Sequence, residues 1–197
     1  METHRREVRE AILDATGSLV QSRGLLAVTM SDIAEATGIG RATLYKYFPD
    51  VETILSAWHQ RHVEAHLAEL RRIQQRTADP VARLQAVLRR YADICRKRRR
   101  NGDDELSAAL HRSAEVRKLQ RQLLDLISGL VADAAEAGAV RQDVPAEELA
   151  SYCVHALAAA GDSSTTAIDR LLDLVWTGIT STRSTQSHVR HGASQPD

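Results

Sequence analysis

Several side chains that can bind phosphate groups or the edges of nucleobases lie close together between residues 29 and 47 of this 197-residue chain. Arginine and lysine neutralise phosphates or donate to guanine O6 and N7, and threonine and tyrosine hydroxyls hydrogen-bond to phosphate oxygens. The candidates on these grounds are Arg41, Thr43, Tyr45, Lys46 and Tyr47. Their types and spacing indicate a surface that contacts nucleic acid, if the chain holds them on one side.

Two short helices joined by a glycine-containing turn are predicted to position these side chains. Thr29 and Asp32 have the spacing of a capping box, which starts the first helix, and Gly38 ends it. The second helix follows Gly40 and stops at Pro49. In such a helix-turn-helix the second helix enters the major groove of DNA by its N-terminal end, so the candidate residues would face the bases and phosphates.

The segment TMSDIAEATGIGRATLYKYFPDVETIL, residues 29–55, resembles the DNA-binding signature of TetR-family transcriptional regulators. The matching positions are Thr29, Asp32, Ile33, Ala34, Gly38, Ile39, Thr43, Leu44, Tyr45, Tyr47, Phe48, Glu52 and Leu55. The resemblance implies that six residues contact operator DNA, with Tyr47 as a phosphate anchor: Thr29, Arg41, Thr43, Tyr45, Lys46 and Tyr47. It also implies that the last two helices pair with those of a second copy in a four-helix dimer interface.

Two positions and the charge balance differ from what a DNA-binding protein of this family usually shows. Val51 stands where the family often has a phosphate-contacting lysine, and Gly40 stands where it commonly has a serine. The chain has 26 basic and 26 acidic residues, and residues 1–60 carry six basic against eight acidic ones, a formal charge of −2. Affinity for DNA must therefore depend on where the charges point, with Arg5, Arg6 and Arg9 predicted to form a basic arm.

The whole chain is predicted to be all-α. It has few prolines and long stretches rich in Ala, Leu, Arg and Glu, which favour helices. Helices are expected at about residues 5–22, 51–76, 80 onward, 105–113, 115–137, 145–160 and 165–181, in addition to the two short ones. We therefore predict a three-helix helix-turn-helix DNA-binding domain at residues 1–50, a larger helical ligand-binding and dimerisation domain at 51–183, and a disordered tail at 184–197.

The larger domain is expected to enclose a ligand between its apolar helices. Because only 4% of the residues are aromatic, Leu, Val, Ile and Ala would form most of the lining, which suits a small apolar or amphipathic effector. The candidate ligand contacts are Leu88, Tyr91, Cys95, His111, Leu123 and Cys153, and His155 is a further polarisable group expected near them. The alternative for any single one of these, which we favour, is an ordinary core or surface residue.

Other kinds of chemistry have little support in the sequence. His59, His62 and His66 share one helical face, and a regulatory metal site at His62 and His66 stays open beside solvated or interhelical histidines. The two cysteines are far apart, and no catalytic signature is present, so we predict no enzyme and no cofactor, and we assign no metal ligand. The chain shows neither a signal peptide nor a membrane-spanning run, which predicts a cytoplasmic protein.

Together these features predict a ligand-responsive DNA-binding transcriptional regulator. It would be a repressor that binds a double-stranded, pseudo-palindromic operator as a homodimer and is released by a small-molecule effector. The alternative is a helical metal- or ligand-binding protein without repressor activity. The pair His62 and His66 and the missing lysine at Val51 motivate that alternative.

Overall fold

The fold is helical throughout the part of the chain that the structure, a computed structural model, describes: residues 2–24, 27–100, 114–161 and 164–180. Within these ranges the helices are α1 (Glu2–Arg23), α2 (Met30–Thr37), α3 (Arg41–Tyr47), α4 (Val51–Arg76), α5 (Pro80–Arg100), α6 (Ala114–Glu136), α7 (Ala146–Ala158) and α8 (Thr165–Ile179). An isolated antiparallel β-bridge joins Val140 and Thr180 in these ranges. The all-α prediction is confirmed, while the predicted helix at 105–113 and the predicted tail at 184–197 lie outside the described residues.

Local capping interactions begin and end the short helices as the sequence predicts. The Thr29 hydroxyl oxygen accepts from the backbone N–H of Asp32 at 3.2 Å, and the Thr29 backbone N–H donates to the Asp32 carboxylate at 3.0 Å. Gly38 ends α2 with φ of 68°, in the left-handed region that favours glycine. Asp50 starts α4 by accepting from the backbone N–H of Thr53 at 2.7 Å. These contacts fix the turn between α2 and α3 and the start of α4.

A small apolar core joins α1, α2 and α3 to the beginning of α4. Its buried members are Ile12, Leu13, Val20, Val28, Ile33, Ala34, Leu44, Phe48, Ile54, Leu55 and Trp58. The last three belong to α4, so the N-terminal module is packed on the helix that follows it. This packing determines the angle at which α3 is presented.

A second, larger core is formed by α4 to α8. Leu67 and Leu70 contribute to it from the second half of α4, so α4 belongs to both cores. Glu69 of α4 also accepts two hydrogen bonds from Arg90 of α5, both at 2.8 Å. Within the described ranges, no helix combines the length and the apolar character needed to span a lipid bilayer.

Candidate nucleic-acid interface and ligand cavity

The α3 helix has a buried side and an exposed side that carries four of the predicted DNA contacts. Leu44 is fully buried, and Phe48, just after the helix, is 1% exposed. Arg41, Thr43 and Lys46 are exposed, and the Tyr45 ring is 48% exposed. The exposed side therefore offers two cations, a threonine hydroxyl and an aromatic hydroxyl on a helix that the buried side holds in place.

Tyr47 lies at the end of α3 beside the N-terminal arm. It lines a groove of about 540 Å³ together with Glu2, Thr3, Arg5, Arg6 and Arg9 of α1. The Arg9 guanidinium lies over the Phe48 ring, 4.6 Å from its centroid, which is a cation–π contact. The structure thus brings the predicted basic arm next to Tyr47, and a phosphate is the kind of group that three arginines and a phenol can bind.

Thr29 has a structural role in addition to its predicted one. Its hydroxyl donates to the Asp32 carboxylate at 2.5 Å while accepting from the Asp32 backbone, so its proton is used in the helix cap. Asp32 also accepts from Arg23 at 2.7 Å. Hydrogen bonds from Thr29, with help from Arg23, lower the pKa of the Asp32 carboxyl below its usual value. In this arrangement Thr29 stabilises the start of α2, and a DNA contact would have to use its remaining lone pair.

A separate cavity of about 370 Å³ lies among α4, α5, α6 and α7. Its lining is His59, Val63, His66, Leu67, Leu70, Tyr91, Ile94, Val116, Leu119, Gln120, Leu123, Leu124, Val154, His155 and Ala158. Tyr91 and Leu123 among the predicted ligand contacts are in this lining. Its size falls in the range of about 300–1,000 Å³ that is typical of small-molecule sites.

The other predicted ligand contacts lie elsewhere. Leu88, Cys95 and Cys153 are buried in the larger core and are not part of the cavity lining. Burial raises the pKa of the Cys153 thiol to about 11, which makes it an inert apolar filler. His111 lies outside the described residues. Leu88 and Cys95 lie on the same helix as Tyr91, but which of these side chains border a cavity depends on how the helices pack.

The cavity also collects polar residues that the sequence did not assign to ligand binding. His59 and His66 lie two turns apart on α4, and Gln120 faces the same space from α6. His62, between the two histidines in sequence, is not in the lining: its ring is tilted against Trp58 with centroids 4.8 Å apart and makes an edge contact with His66, with centroids 5.8 Å apart. In the described part of the chain, no three His, Cys, Asp or Glu side chains are grouped so that they could hold a metal ion. The spacing of seven residues between His59 and His66 was the available signal for this cavity.

Two known protein-family models match this chain, one in its N-terminal module and one in the helical remainder. The family model for bacterial regulatory proteins of the tetR family matches residues 12–57, and the model for the C-terminal domain of SbtR-like transcriptional regulators matches residues 79–181. The second match alone covers more than half of the chain.

Individual relatives include a transcriptional repressor and a transcriptional activator. The chain is 32% identical over 79 residues to the transcriptional repressor KstR2 of Mycobacterium tuberculosis, and these residues are 40% of each chain. It is 30% identical over 90 residues to the transcriptional activator FasR of Mycolicibacterium smegmatis, covering 46% of this chain and 41% of that one. An uncharacterised HTH-type regulator of Mycobacterium tuberculosis is 28% identical over 180 residues, 88% of this chain and 89% of that protein. The matches to KstR2 and FasR therefore span about two fifths of those proteins.

Solved structures show the same fold. A TetR/AcrR-family regulator from Thermobifida fusca superposes with a TM-score of 0.73 at 20% identity, covering 86% of this chain and 97% of that one. The ketosteroid regulator KstR2 of Mycobacterium tuberculosis gives a TM-score of 0.62 at 20% identity, with coverages of 88% and 95%. The homologues are regulators and not enzymes, which agrees with the prediction from the sequence. With its helix-turn-helix and its helical C-terminal domain, the chain belongs to the TetR family of DNA-binding transcriptional regulators.

Proposed function

We propose that this protein is a homodimeric repressor whose α3 helices bind a pseudo-palindromic operator and whose affinity falls when a small molecule occupies the cavity among α4 to α7. The observation that carries the proposal is the two-sided α3 helix. Its buried Leu44 fixes the helix on the small core, while Arg41, Tyr45 and Lys46 are left exposed. Two such helices in a symmetric dimer would enter successive major grooves, about 34–36 Å apart or a multiple of that.

The exposed apolar side chains support dimerisation through α7 and α8. Among the described residues, the exposed large apolar side chains are Tyr45 on α3, Tyr152 on α7 and Leu174 on α8. Tyr152 is 45% exposed and Leu174 is 66% exposed. The Tyr152 hydroxyl also lies against Gly178 of α8, 2.9 Å from where a β-carbon would be, so the two helices pack closely there. A face of this kind gains stability when a second copy covers it.

The position of α4 supports a link between ligand and DNA. His59, Val63 and His66 of α4 line the cavity, while Trp58, directly before His59, is buried in the core that holds α3. A ligand that favours one placement of α4 therefore also favours one placement of α3. Operator affinity then changes because the ligand binds the two placements with different affinity.

We propose repression rather than activation because a dimer that occupies the operator is sufficient to block transcription. Activation needs a further contact with the transcription machinery. The relatives KstR2, a repressor, and FasR, an activator, show that both signs occur among proteins similar to part of this chain. A reporter gene placed behind the operator distinguishes them, since deletion of this protein's gene raises expression for a repressor and lowers it for an activator.

The experiment that tests DNA binding compares charge-matched variants on DNA selected from genomic fragments. We expect Arg41→Ala to weaken binding by about 5- to 150-fold, equivalent to about 1–3 kcal/mol for an arginine that contacts a base. Lys46→Ala should weaken it and reduce the salt dependence of binding by about one unit of slope. Arg121→Ala and Lys118→Ala remove the same charges from exposed positions on α6 and should leave binding unchanged.

The proposal is contradicted if the α3 variants bind the selected DNA as tightly as the α6 variants do. It is also contradicted if no sequence is enriched by the full-length protein. The second result would favour the alternative of a helical ligand-binding protein that does not repress transcription.

A further inference from the structure

We propose that the cavity among α4 to α7 selects an uncharged, largely apolar molecule that carries a hydroxyl group, and that this hydroxyl donates a hydrogen bond to His155. The inference rests on the proposed effector role of the cavity and specifies the chemical class of its ligand. It depends on three observations: which side chains line the cavity, how His155 is bonded, and where the neighbouring charges are directed.

The lining is apolar apart from a few hydrogen-bonding groups. Ten of its fifteen residues are Leu, Val, Ile or Ala, and the others are His59, His66, Tyr91, Gln120 and His155. In the described residues that border the cavity there is no Asp, Glu, Lys or Arg. A charged ligand group would lose its hydration without gaining a charged partner, which is unfavourable. The lining therefore favours a molecule without net charge.

A basic side chain next to the lining, Arg90, is already neutralised. Arg90 precedes Tyr91 in α5, and its guanidinium makes two hydrogen bonds to Glu69, each 2.8 Å long. The Arg90 hydrogen bonds lower the pKa of Glu69, so the carboxylate stays ionised and paired. Arg90 is therefore committed to Glu69 and does not compensate a carboxylate or phosphate in the cavity.

His155 determines which polar group the ligand should have. Its Nδ1 lies 2.7 Å from the backbone carbonyl oxygen of Ser151. A carbonyl oxygen only accepts hydrogen bonds, so Nδ1 carries the proton and, in the neutral ring, Nε2 has a lone pair. His155 is an exposed residue at the edge of the cavity, so Nε2 is the ring nitrogen left for a ligand there, and it requires a donor. Alcohols and phenols supply one, whereas carboxylates, ethers and esters do not.

Two isomeric probes test this preference with almost no difference in size or composition. 1-Octanol and heptyl methyl ether contain the same atoms, but the ether has no O–H group. Binding of each probe, and of octanoate as the anionic analogue, is measured by isothermal titration calorimetry with the full-length protein. A pH of about 8 keeps an ordinary histidine neutral. We expect 1-octanol to bind about 2- to 12-fold more tightly than the ether, the effect of one neutral hydrogen bond, and octanoate to bind more weakly than 1-octanol.

A pair of histidine variants assigns the preference to His155. His155→Phe keeps a planar ring but removes the acceptor, so it should bind 1-octanol and the ether equally. His62→Phe is the matched control, because His62 contacts Trp58 and is not part of the lining, and an aromatic ring at this position can keep the edge contact with His66. It should retain the preference for the alcohol. The comparison of the two isomers in the unaltered protein needs no variant and therefore does not depend on how His155→Phe folds.

The inference is overturned if octanoate binds as tightly as 1-octanol, if the two isomers bind equally to the unaltered protein, or if His155→Phe keeps the preference. It is also overturned if none of the three probes binds. In that case the loss of operator binding in Arg41→Ala would still support the proposed function. If 1-octanol binds as expected but leaves operator affinity unchanged, the chemistry of the cavity is supported and its role as the effector site is contradicted.

Discussion

The position that a β-carbon on Gly17 would take lies 2.5 Å from Nε1 of Trp58. Gly17 is in the second half of α1 and Trp58 is near the start of α4, and both are buried. A glycine inside a helix is normally unfavourable by about 0.5–1 kcal/mol relative to alanine. Here it lets the indole lie directly against the α1 backbone, so this close approach holds the first helix of the DNA-binding module on α4.

Replacement of Gly17 by alanine is therefore expected to destabilise the protein although alanine favours the helix. Forcing a methyl group against the indole should cost about 1–3 kcal/mol, as other overpacked cores do. Gly129→Ala is the matched control, because Gly129 is an exposed glycine within α6 and has no atom within 4 Å of its β-carbon position. That variant should be stabilised by about 0.5–1 kcal/mol. Urea unfolding of both variants checks this, and equal stability of the two would contradict it.

A second contact between the same helices is ionic. Arg61 of α4 donates a hydrogen bond from one terminal guanidinium nitrogen to Glu10 of α1 and from the other to Asp14 of α1, both at 2.7 Å. We expect Arg61→Ala to lower the free energy of unfolding by about 0.5–1 kcal/mol, because both carboxylates are largely exposed and screened by solvent. Operator affinity should also fall, since α1 carries the basic arm.

The control for Arg61 breaks an ion pair that is remote from the DNA-binding module. Arg89 of α5 bonds to Asp169 of α8 at 2.7 Å, and both side chains are about half exposed. Arg89→Ala should have a similar small effect on stability and no effect on operator affinity in a gel-shift titration. If the two variants bind the operator equally well, the contact between Arg61 and α1 has no role in presenting the DNA-binding surface.

The sequence predicted best those features that depend on neighbouring residues. The capping box of Thr29 and Asp32 and the left-handed Gly38 follow from local hydrogen bonding and backbone sterics. The exposed side of α3 follows from helical periodicity, which puts Leu44 inside and Tyr45 outside. The role of Gly17 could not be predicted in this way, because its partner Trp58 is 41 residues away and is brought to it only by the packing of the helices.

The cavity was harder to predict because apolar stripes on several helices compete for the same interior. Leu88, Tyr91 and Cys95 follow one another on one face of α5, yet Tyr91 alone of these three borders the cavity. Similarly, His62 and His66 were considered as a pair, but the packing of α4 puts His66 at the cavity and His62 on Trp58. Helical periodicity shows which side of a helix is buried, and it does not show where neighbouring helices leave a gap.

Dimerisation through α8 is testable at its most exposed apolar side chain. Leu174→Asp adds a charge to the proposed dimer face without disturbing the core, since this side chain is 66% exposed. We expect a folded monomer in analytical ultracentrifugation where the unaltered protein is a dimer. Tyr45→Asp is the control, because it adds the same charge to another exposed apolar position, on α3. It should remain dimeric and lose DNA binding, and a dimeric Leu174→Asp variant would move the interface elsewhere.

The pH dependence of stability should reveal the position of His62. Burial, with a smaller contribution from the positive charge of Arg61, lowers the pKa of His62 below its usual 6.5. The unfolded chain therefore binds the proton more readily, and the stability linked to His62 is complete above about pH 6.5 and is lost as the pH falls through the lowered value. We expect the melting temperature to drop between pH 7.5 and pH 5.5, and His62→Gln to reduce that drop.

Asp50→Asn is the control. The pKa of Asp50 is lowered below its usual 3.8 by hydrogen bonds from Thr53, so this variant should show the same drop in melting temperature between pH 7.5 and pH 5.5 as the unaltered protein. An unchanged slope in His62→Gln would show that another group causes the loss of stability.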